Sequence, residues 1–130
     1  MIHVMDSSAL LAVSKGEIGA EYVMEILQTQ DCVISSVNAA EVATRLLDMG
    51  LPASELDRAV AQFRVDVVDF NYEQALTCAR LRTTTKSAGL SLGDRACLAL
   101  TQLMDGIAVT ADHAWGDVKE VAGVRVLMIR

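Results

Sequence analysis

Ile2-His3-Val4-Met5-Asp6-Ser7-Ser8-Ala9-Leu10-Leu11 holds the event on which the fold turns. A short apolar run stops at an acid and passes at once into a helical pattern, Ser7 to Val13. The event recurs at Cys32 to Ser35, a second short run that leads into a helix. That helix carries Ala39, Ala40, Ala43, Leu46 and Leu47 on one face, takes Ser36 or Asn38 as its cap and stops at Gly50. Val65 to Phe70 is a third run. Asn71 caps the long helix after it, with Ala75, Leu76 and Ala79 inward and an end near Gly89. Further helices are expected over Glu17 to Gln30, from Ser54 to about Phe63 with Asp57 completing the capping signal, and over Ser91 to Met104. Ile107 to Thr110 and Val124 to Ile129 read as a fourth and a fifth strand. Short strands, apolar without alternation and separated by helices, predict an α/β fold with a mainly parallel sheet covered on both faces. Ligands of such sheets bind outside the carboxyl ends of the strands.

The chain has 130 residues, 52% of them apolar, enough for one compact domain with its own core. That apolar fraction excludes disorder. The longest stretches free of Asp, Glu, Lys and Arg, Cys32 to Ala40 and Ala96 to Met104, are less than half the about 20 residues a membrane span needs. No basic region or extended apolar core opens the chain, so a cytoplasmic protein is expected. Cys32, Cys78 and Cys97 are widely spaced among apolar residues, with no C-x-x-C, and the histidines are His3 and His113. Buried thiols are expected rather than a zinc site or a disulfide framework. Eleven Lys and Arg against 17 Asp and Glu leave a net charge of −6. Such a chain binds nucleic acid poorly unless a local basic patch or a metal ion mediates the contact.

Of four acids, Asp6 and Asp112 stand where the strand-end rule directs attention. Glu41 joins them if its helix is entered directly from the second strand, and Asp94 only if its helix starts on that same side. Asp6 closes the first strand, Glu41 lies in the first turns of the helix after the second, Asp94 starts the helix leading to the fourth, and Asp112 follows the fourth by two residues. Each has a structural explanation of its own: Asp6 as a helix cap, Asn38-x-x-Glu41 and Ser91-x-x-Asp94 as capping boxes, Asp112 as a turn residue. Gathered in one cleft, they would repel one another and oppose folding unless a divalent cation reversed the repulsion. An all-oxygen set suits Mg²⁺ or Mn²⁺. The chemistry this indicates is metal-assisted hydrolysis of a phosphate ester.

Met5-Asp6-Ser7-Ser8-Ala9-Leu10 resembles the opening of PIN-domain ribonucleases. So do Ser36-Val37-Asn38-Ala39-Ala40-Glu41, Leu92-Gly93-Asp94-Arg95-Ala96-Cys97-Leu98-Ala99-Leu100 and Val109-Thr110-Ala111-Asp112-His113-Ala114-Trp115, in that order along nearly the whole chain. The similarity is to the VapC-like toxin branch of toxin–antitoxin modules. It implies a three-layer α/β/α sandwich, one nuclease domain over residues 1–130, and a Mg²⁺- or Mn²⁺-dependent endoribonuclease. Asp6 and Asp94 would be direct metal ligands, while Glu41 and Asp112 would ligate or orient through water. Ser7 and Thr110 would hydrogen-bond those acids or a water, although each equally suits a cap or strand end. The resemblance also implies an antitoxin partner and a homodimer, for which the Glu17–Gln30 and Pro52–Phe63 helices have enough apolar residues.

Arg80, Arg82, Lys86 and Arg95 form the densest basic region, and a solvated helix face is the commoner meaning of such a pattern. In the ribonuclease reading Arg95, then Arg82 and Lys86, would hold an RNA backbone. Trp115 reads as packing that fixes the Asp112 turn, His113 as an exposed turn residue, and Asp117 as part of a surface turn outside the site. A phosphoryl-receiver domain is the rival from another class. It needs an acidic pair after the first strand and a lysine ending the fifth, whereas Asp6 stands alone before two serines and Arg130 ends the chain. A phosphatase of the D-x-D type fails because position 8 is serine. A catalytically idle PIN-like binding module is the remaining alternative, and the presence of all four acids argues against it.

Overall fold

The computed structural model describes residues 1–116 and 123–130. Five strands, β1 (His3–Met5), β2 (Cys32–Ser35), β3 (Asp66–Val68), β4 (Ile107–Thr110) and β5 (Arg125–Met128), form one sheet in the order β3-β2-β1-β4-β5, every pairing parallel. The helices are α1 (Ser7–Lys15), α2 (Ala20–Thr29), α3 (Ser36–Asp48), α4 (Leu56–Ala61), α5 (Tyr72–Thr85) and α6 (Leu92–Met104). The chain steps outward from β1 through β2 to β3, then returns to the other side of β1 and steps outward again through β4 to β5. β1 and β4 therefore flank the point where the winding reverses.

Strand side chains alternate between two cores, as the pleat requires. Val4, in register with Val33 and Ala108, packs on one face with Cys78, Leu81, Leu98, Leu100 and Trp115. Met5, Ile34 and Val109 pack on the other with Leu10, Val23, Ile26 and Val42. Helices α5 and α6 thus cover one face and α1, α2 and α3 the other, a three-layer α/β/α sandwich. Helices cover both faces of the sheet, which is why the central strands are mainly apolar instead of alternating, whereas the edge strands β3 and β5 carry exposed Asp66, Val67 and Arg125. Cys32, Cys78 and Cys97 are free and buried.

Several boundaries differ from the sequence expectation, each for a local reason. The cap of α3 is Ser35, whose Oγ accepts the Val37 N–H at 3.2 Å. Ser36 instead accepts the Phe70 N–H at 3.0 Å, tying α3 to the end of β3, and Asn38 lies inside the helix. Ser54 does not cap α4: it sits within a 3₁₀ turn, Ala53–Glu55, and α4 starts without a side-chain cap. Helix α2 begins at Ala20, not Glu17, after Gly19 at φ 98°, where a Cβ would come 2.7 Å from the Ile129 carbonyl oxygen. The Arg130 guanidinium holds the same corner, donating to the Ile18 carbonyl at 3.0 Å.

Helix α5 is capped by Asn71, which accepts the Gln74 N–H at 2.9 Å. Its buried stripe is Gln74, Cys78, Leu81 and Thr85, whereas Leu76 is 38% exposed and Ala79 exposed. Two polar residues occupy inward positions with their donors paired to local carbonyls: Gln74 donates to Asp69 O at 2.8 Å and Thr85 to Leu81 O at 2.7 Å, although Gln74 Oε1 has no partner among the described residues. Polar side chains whose donors are paired, standing where apolar ones are expected, hide the true inward face from a hydrophobicity pattern. Asp117 lies outside the described residues.

Candidate active site

The reversal of winding puts the residues after β1 and β4 beside each other at the carboxyl edge of the sheet, the usual ligand position of doubly wound folds. Asp6 follows β1 and extends its pairing, its N–H donating to Val109 O at 2.9 Å. It holds the cap position of α1, yet its side chain caps nothing. Oδ2 instead accepts two hydroxyls, Ser8 Oγ at 2.6 Å and Thr110 Oγ1 at 2.8 Å. Each hydroxyl is fixed in polarity from behind, since Ser8 accepts the Ala111 N–H and Thr110 the Asp112 N–H, both at 3.0 Å. Amide feeds hydroxyl and hydroxyl feeds carboxylate, twice over.

Asp6 is only 3% exposed. Burial pushes its pKa up to about 6; the Ser8 and Thr110 hydrogen bonds pull down against it, and the negative charges of Asp94 and Glu41 push up again. Asp94 and Glu41 are thus near enough for their charges to be felt at Asp6.

Glu41 is placed by three elements. Its Oε1 accepts Ser7 Oγ at 3.1 Å from the first turn of α1 and Asn38 Nδ2 at 2.9 Å from its own helix. The carboxylate lies against the backbone of Gly93 in α6, where a Cβ would fall within 2.7 Å of its atoms. Asn38 spends its second amide proton on Gly93 O at 3.0 Å.

Asp94 completes a capping box at the start of α6: Oδ2 accepts the Ser91 N–H at 2.9 Å, and the Asp94 N–H donates to Ser91 Oγ at 3.2 Å. Asp112 caps the 3₁₀ turn His113–Trp115, its Oδ1 accepting the Ala114 N–H at 2.9 Å. For these two acids the capping explanation holds; for Asp6 and Glu41 it does not. One regularity covers all four. In each carboxylate one oxygen is held by protein donors, while the other, Asp6 Oδ1, Glu41 Oε2, Asp94 Oδ1 and Asp112 Oδ2, has no partner among the described residues. As placed, no three Asp, Glu, His or Cys side chains among the described residues stand close enough to ligate one ion.

The basic residues are not alike. Arg95 is half-buried and turned away from Asp94, its Nη1 donating to Cys78 O at 3.1 Å across the α5–α6 contact. Arg82 and Lys86 are exposed on and just beyond the end of α5, and His113 is exposed. Trp115 is fully buried against the α5–α6 core, and its backbone N–H donates to Asp112 O at 3.1 Å, which anchors the Asp112 turn.

Ser8, Asn38 and Gly93 are the site residues that sequence reasoning passed over. The signal for Asn38 was present: a poor helix former three residues before a glutamate is either a cap or a side-chain partner. Ser8 and Gly93 act through contacts with distant residues, and nothing local marks them.

A family model described as PIN domain matches residues 4–121. No curated protein sequence matches the chain. Among solved structures, a toxin–antitoxin complex from Klebsiella pneumoniae superposes with a TM-score of 0.76 at 17% identity, covering 98% of both chains. VapBC-1 from nontypeable Haemophilus influenzae gives 0.73 at 19% identity over 99% of this chain and 98% of that one. DNA-bound VapBC from Salmonella typhimurium gives 0.73 at 14% identity over 100% and 99%. At these identities the likeness is one of fold.

Proposed function

The chain belongs to the PIN domain family, and from that premise we propose that it is the toxin of a toxin–antitoxin pair, an endoribonuclease hydrolysing RNA phosphodiester bonds with Mg²⁺ or Mn²⁺. The observation that carries this reading is the half-tied state of the four acids. A carboxylate with one oxygen fixed by donors and one left open is oriented to offer a single oxygen outward, and Asp6, Glu41, Asp94 and Asp112 all have this form. The donor set is all oxygen and its members repel one another, which fits a hard divalent cation. In this assignment Asp6 and Asp94 hold the ion, with Glu41 and Asp112 ligating or orienting a water. When bound, the ion lowers the pKa of a water and neutralises charge on a phosphoryl oxygen.

The remaining work belongs to the chain's own side chains. Thr110 and Ser8 saturate Asp6 Oδ2, so a proton or a cation has only Oδ1 to occupy. Ser7 and Asn38 do the same for Glu41 Oε1. In this reading the open Glu41 Oε2 and Asp112 Oδ2 would accept a proton from an attacking water. Arg82 and Lys86, exposed at the end of α5, are the cations for an RNA backbone; Arg95 is already engaged by Cys78 O and serves packing.

An antitoxin and a second copy of the chain are the proposed protein partners, on the model of the relatives solved as VapBC and toxin–antitoxin complexes. Ile18, 80% exposed, and the exposed Tyr22 and Met24 near the α1–α2 corner are apolar side chains that a partner would cover. No helix among the described residues is long and apolar enough to cross a membrane, and an RNA substrate would put the reaction in the cytoplasm. The receiver-domain reading is disfavoured because β5 leads to Ile129 and to Arg130, which is held by Ile18 O, with no lysine at its end.

The deciding experiment is cleavage of total cellular RNA by purified, antitoxin-free protein, with 5′-end mapping, in Mg²⁺ or Mn²⁺ and in EDTA, beside Asp94→Asn. Discrete metal-dependent cuts that vanish in the variant support the reading. Intact RNA with metal-loaded wild type overturns it in favour of an idle binding module.

A further inference from the structure

Resting on the nuclease reading, we infer that Asn38 is a positioning residue that decides which oxygen Glu41 presents, with Gly93 as the seat on which that carboxylate lies. Asn38 is the third residue of α3 and is fully buried. Both protons of its amide are spent, on Glu41 Oε1 at 2.9 Å and on Gly93 O at 3.0 Å. Neither partner carries a proton to give back, since one is a carboxylate and the other a carbonyl. The amide therefore has one possible orientation: nitrogen toward both acceptors, oxygen away.

That orientation leaves Asn38 Oδ1 buried without a hydrogen-bond partner among the described residues. An orphaned buried acceptor in a poor helix former works against stability twice. That cost is set against two N–H bonds that both end in the site, so the amide answers to Glu41 and Gly93 rather than to apolar packing. Its effect is specific. With Ser7 it fills Oε1, so Oε2 is the single open oxygen of Glu41. Through Gly93 O it also ties α3 to the residue preceding Asp94, so one amide sets two of the four acids in a common frame.

Gly93 makes the arrangement possible. Any Cβ there would overlap the Glu41 carboxylate, all three of whose terminal atoms lie within 2.7 Å of the Cβ position. Its φ is ordinary for a helix, so backbone freedom does not demand glycine; the approach of Glu41 does.

The test compares Asn38→Val with Asn38→Thr, side chains of one shape that differ by a single hydroxyl donor. Mn²⁺ binding without RNA is read by electron paramagnetic resonance of the free ion, alongside kcat, KM and Tm. Asn38→Val is expected to weaken Mn²⁺ binding about tenfold and to lower kcat by about 10- to 100-fold, typical of a lost partner behind a ligand. KM for RNA should stay level, and Tm should fall only modestly, because the orphaned acceptor goes together with the two lost hydrogen bonds. Asn38→Thr, restoring one donor, should recover most of the Mn²⁺ affinity. Wild-type Mn²⁺ binding and kcat in Asn38→Val would overturn the inference.

A second measurement needs neither metal nor RNA and covers a variant that fails to fold. Gly93→Ala should lower Tm in the wild-type background and should do so far less beside Glu41→Ala, where the clash is gone. Additive losses would mean that Glu41 does not occupy that seat, and the inference falls. If wild type neither binds Mn²⁺ nor cuts RNA, the nuclease reading fails and takes the positioning role with it. The Gly93 cycle still shows whether the seat itself exists, so the two failures are told apart.

Discussion

Thr110 Oγ1 donates to Asp6 Oδ2 at 2.8 Å, joining residues 104 positions apart across the point where the sheet reverses its winding. The bond has a fixed direction because Thr110 Oγ1 already accepts the Asp112 N–H. Thr110→Val keeps the shape and removes both contacts. The expected result is a loss of about 1–3 kcal/mol in urea unfolding, since a buried carboxylate loses a donor and an amide loses its acceptor. The Asp6 carboxyl should also titrate higher than in wild type, by carboxyl-carbon NMR. An unchanged titration would show that Thr110 does not hold Asp6.

Stability should depend on pH through Asp6. Its folded-state pKa is raised from an ordinary value near 3.8 to about 6, chiefly by burial. The native state then binds more protons than the unfolded chain between about pH 4 and pH 6, so stability falls as pH rises through that window. The loss is on the order of 3 kcal/mol, complete above about pH 6 and absent below about pH 4. Urea unfolding in EDTA at pH 4.5 and 7.5 should reveal it, and Asp6→Asn should be nearly flat over the same range. Equal slopes for the two proteins would remove Asp6 as the cause.

A divalent ion should reverse that penalty. At pH 7.5, Mg²⁺ or Mn²⁺ at 100 times its Kd is expected to stabilise wild type by about 2.7 kcal/mol. Asp6→Asn/Asp94→Asn should melt identically with and without the ion. A retained response in the double variant would place the ion elsewhere.

Asp94 has two roles that separate by mutation. Asp94→Asn keeps side-chain shape and an acceptor for the Ser91 N–H, and loses the charge. Stability should change by less than about 1 kcal/mol, the scale of a helix-terminal charge, while RNA cleavage falls at least about a hundredfold. Ser91→Ala should do the reverse, costing about 1 kcal/mol through the lost cap with cleavage largely kept. Comparable losses of cleavage in both would mean that the cap itself, not the carboxylate, matters.

The cations should divide by burial. Arg82→Ala and Lys86→Ala are expected to weaken RNA binding, each lowering the salt slope by about 1, with Tm unchanged. Arg95→Ala should lower Tm, because its guanidinium ties α6 to Cys78 O in α5, and should leave the salt slope alone. A steeper effect of Arg95 on the slope would return it to the RNA-binding face.

The alternation of apolar runs and helices, and the acids standing at strand ends, were legible in the chain because both depend on residues near one another in sequence. Ile2–Met5, Cys32–Ser35 and Ile107–Thr110 announced buried parallel strands by their unbroken apolar character, and Asn71 and Ser91 announced their helices by capping chemistry. The inward face of α5 was not legible: Gln74 and Thr85 are buried with their donors paired to Asp69 O and Leu81 O, a matter of geometry rather than composition.

The site divides in the same way. Residue type and order alone marked Asp6, Glu41, Asp94 and Asp112 as the acids to watch, since an acid just past a strand, as Asp6 and Asp112 are, or at a helix start, as Glu41 and Asp94 are, is a local feature. Which oxygen of each is tied, and by what, was decided only by the tertiary structure. Ser8 reaches Asp6 and Ala111, Asn38 reaches Gly93, and Arg95 donates to Cys78 O. Directional hydrogen bonds between residues as much as 104 positions apart depend on distances and angles that exist only after β1, β4, α3 and α6 have packed.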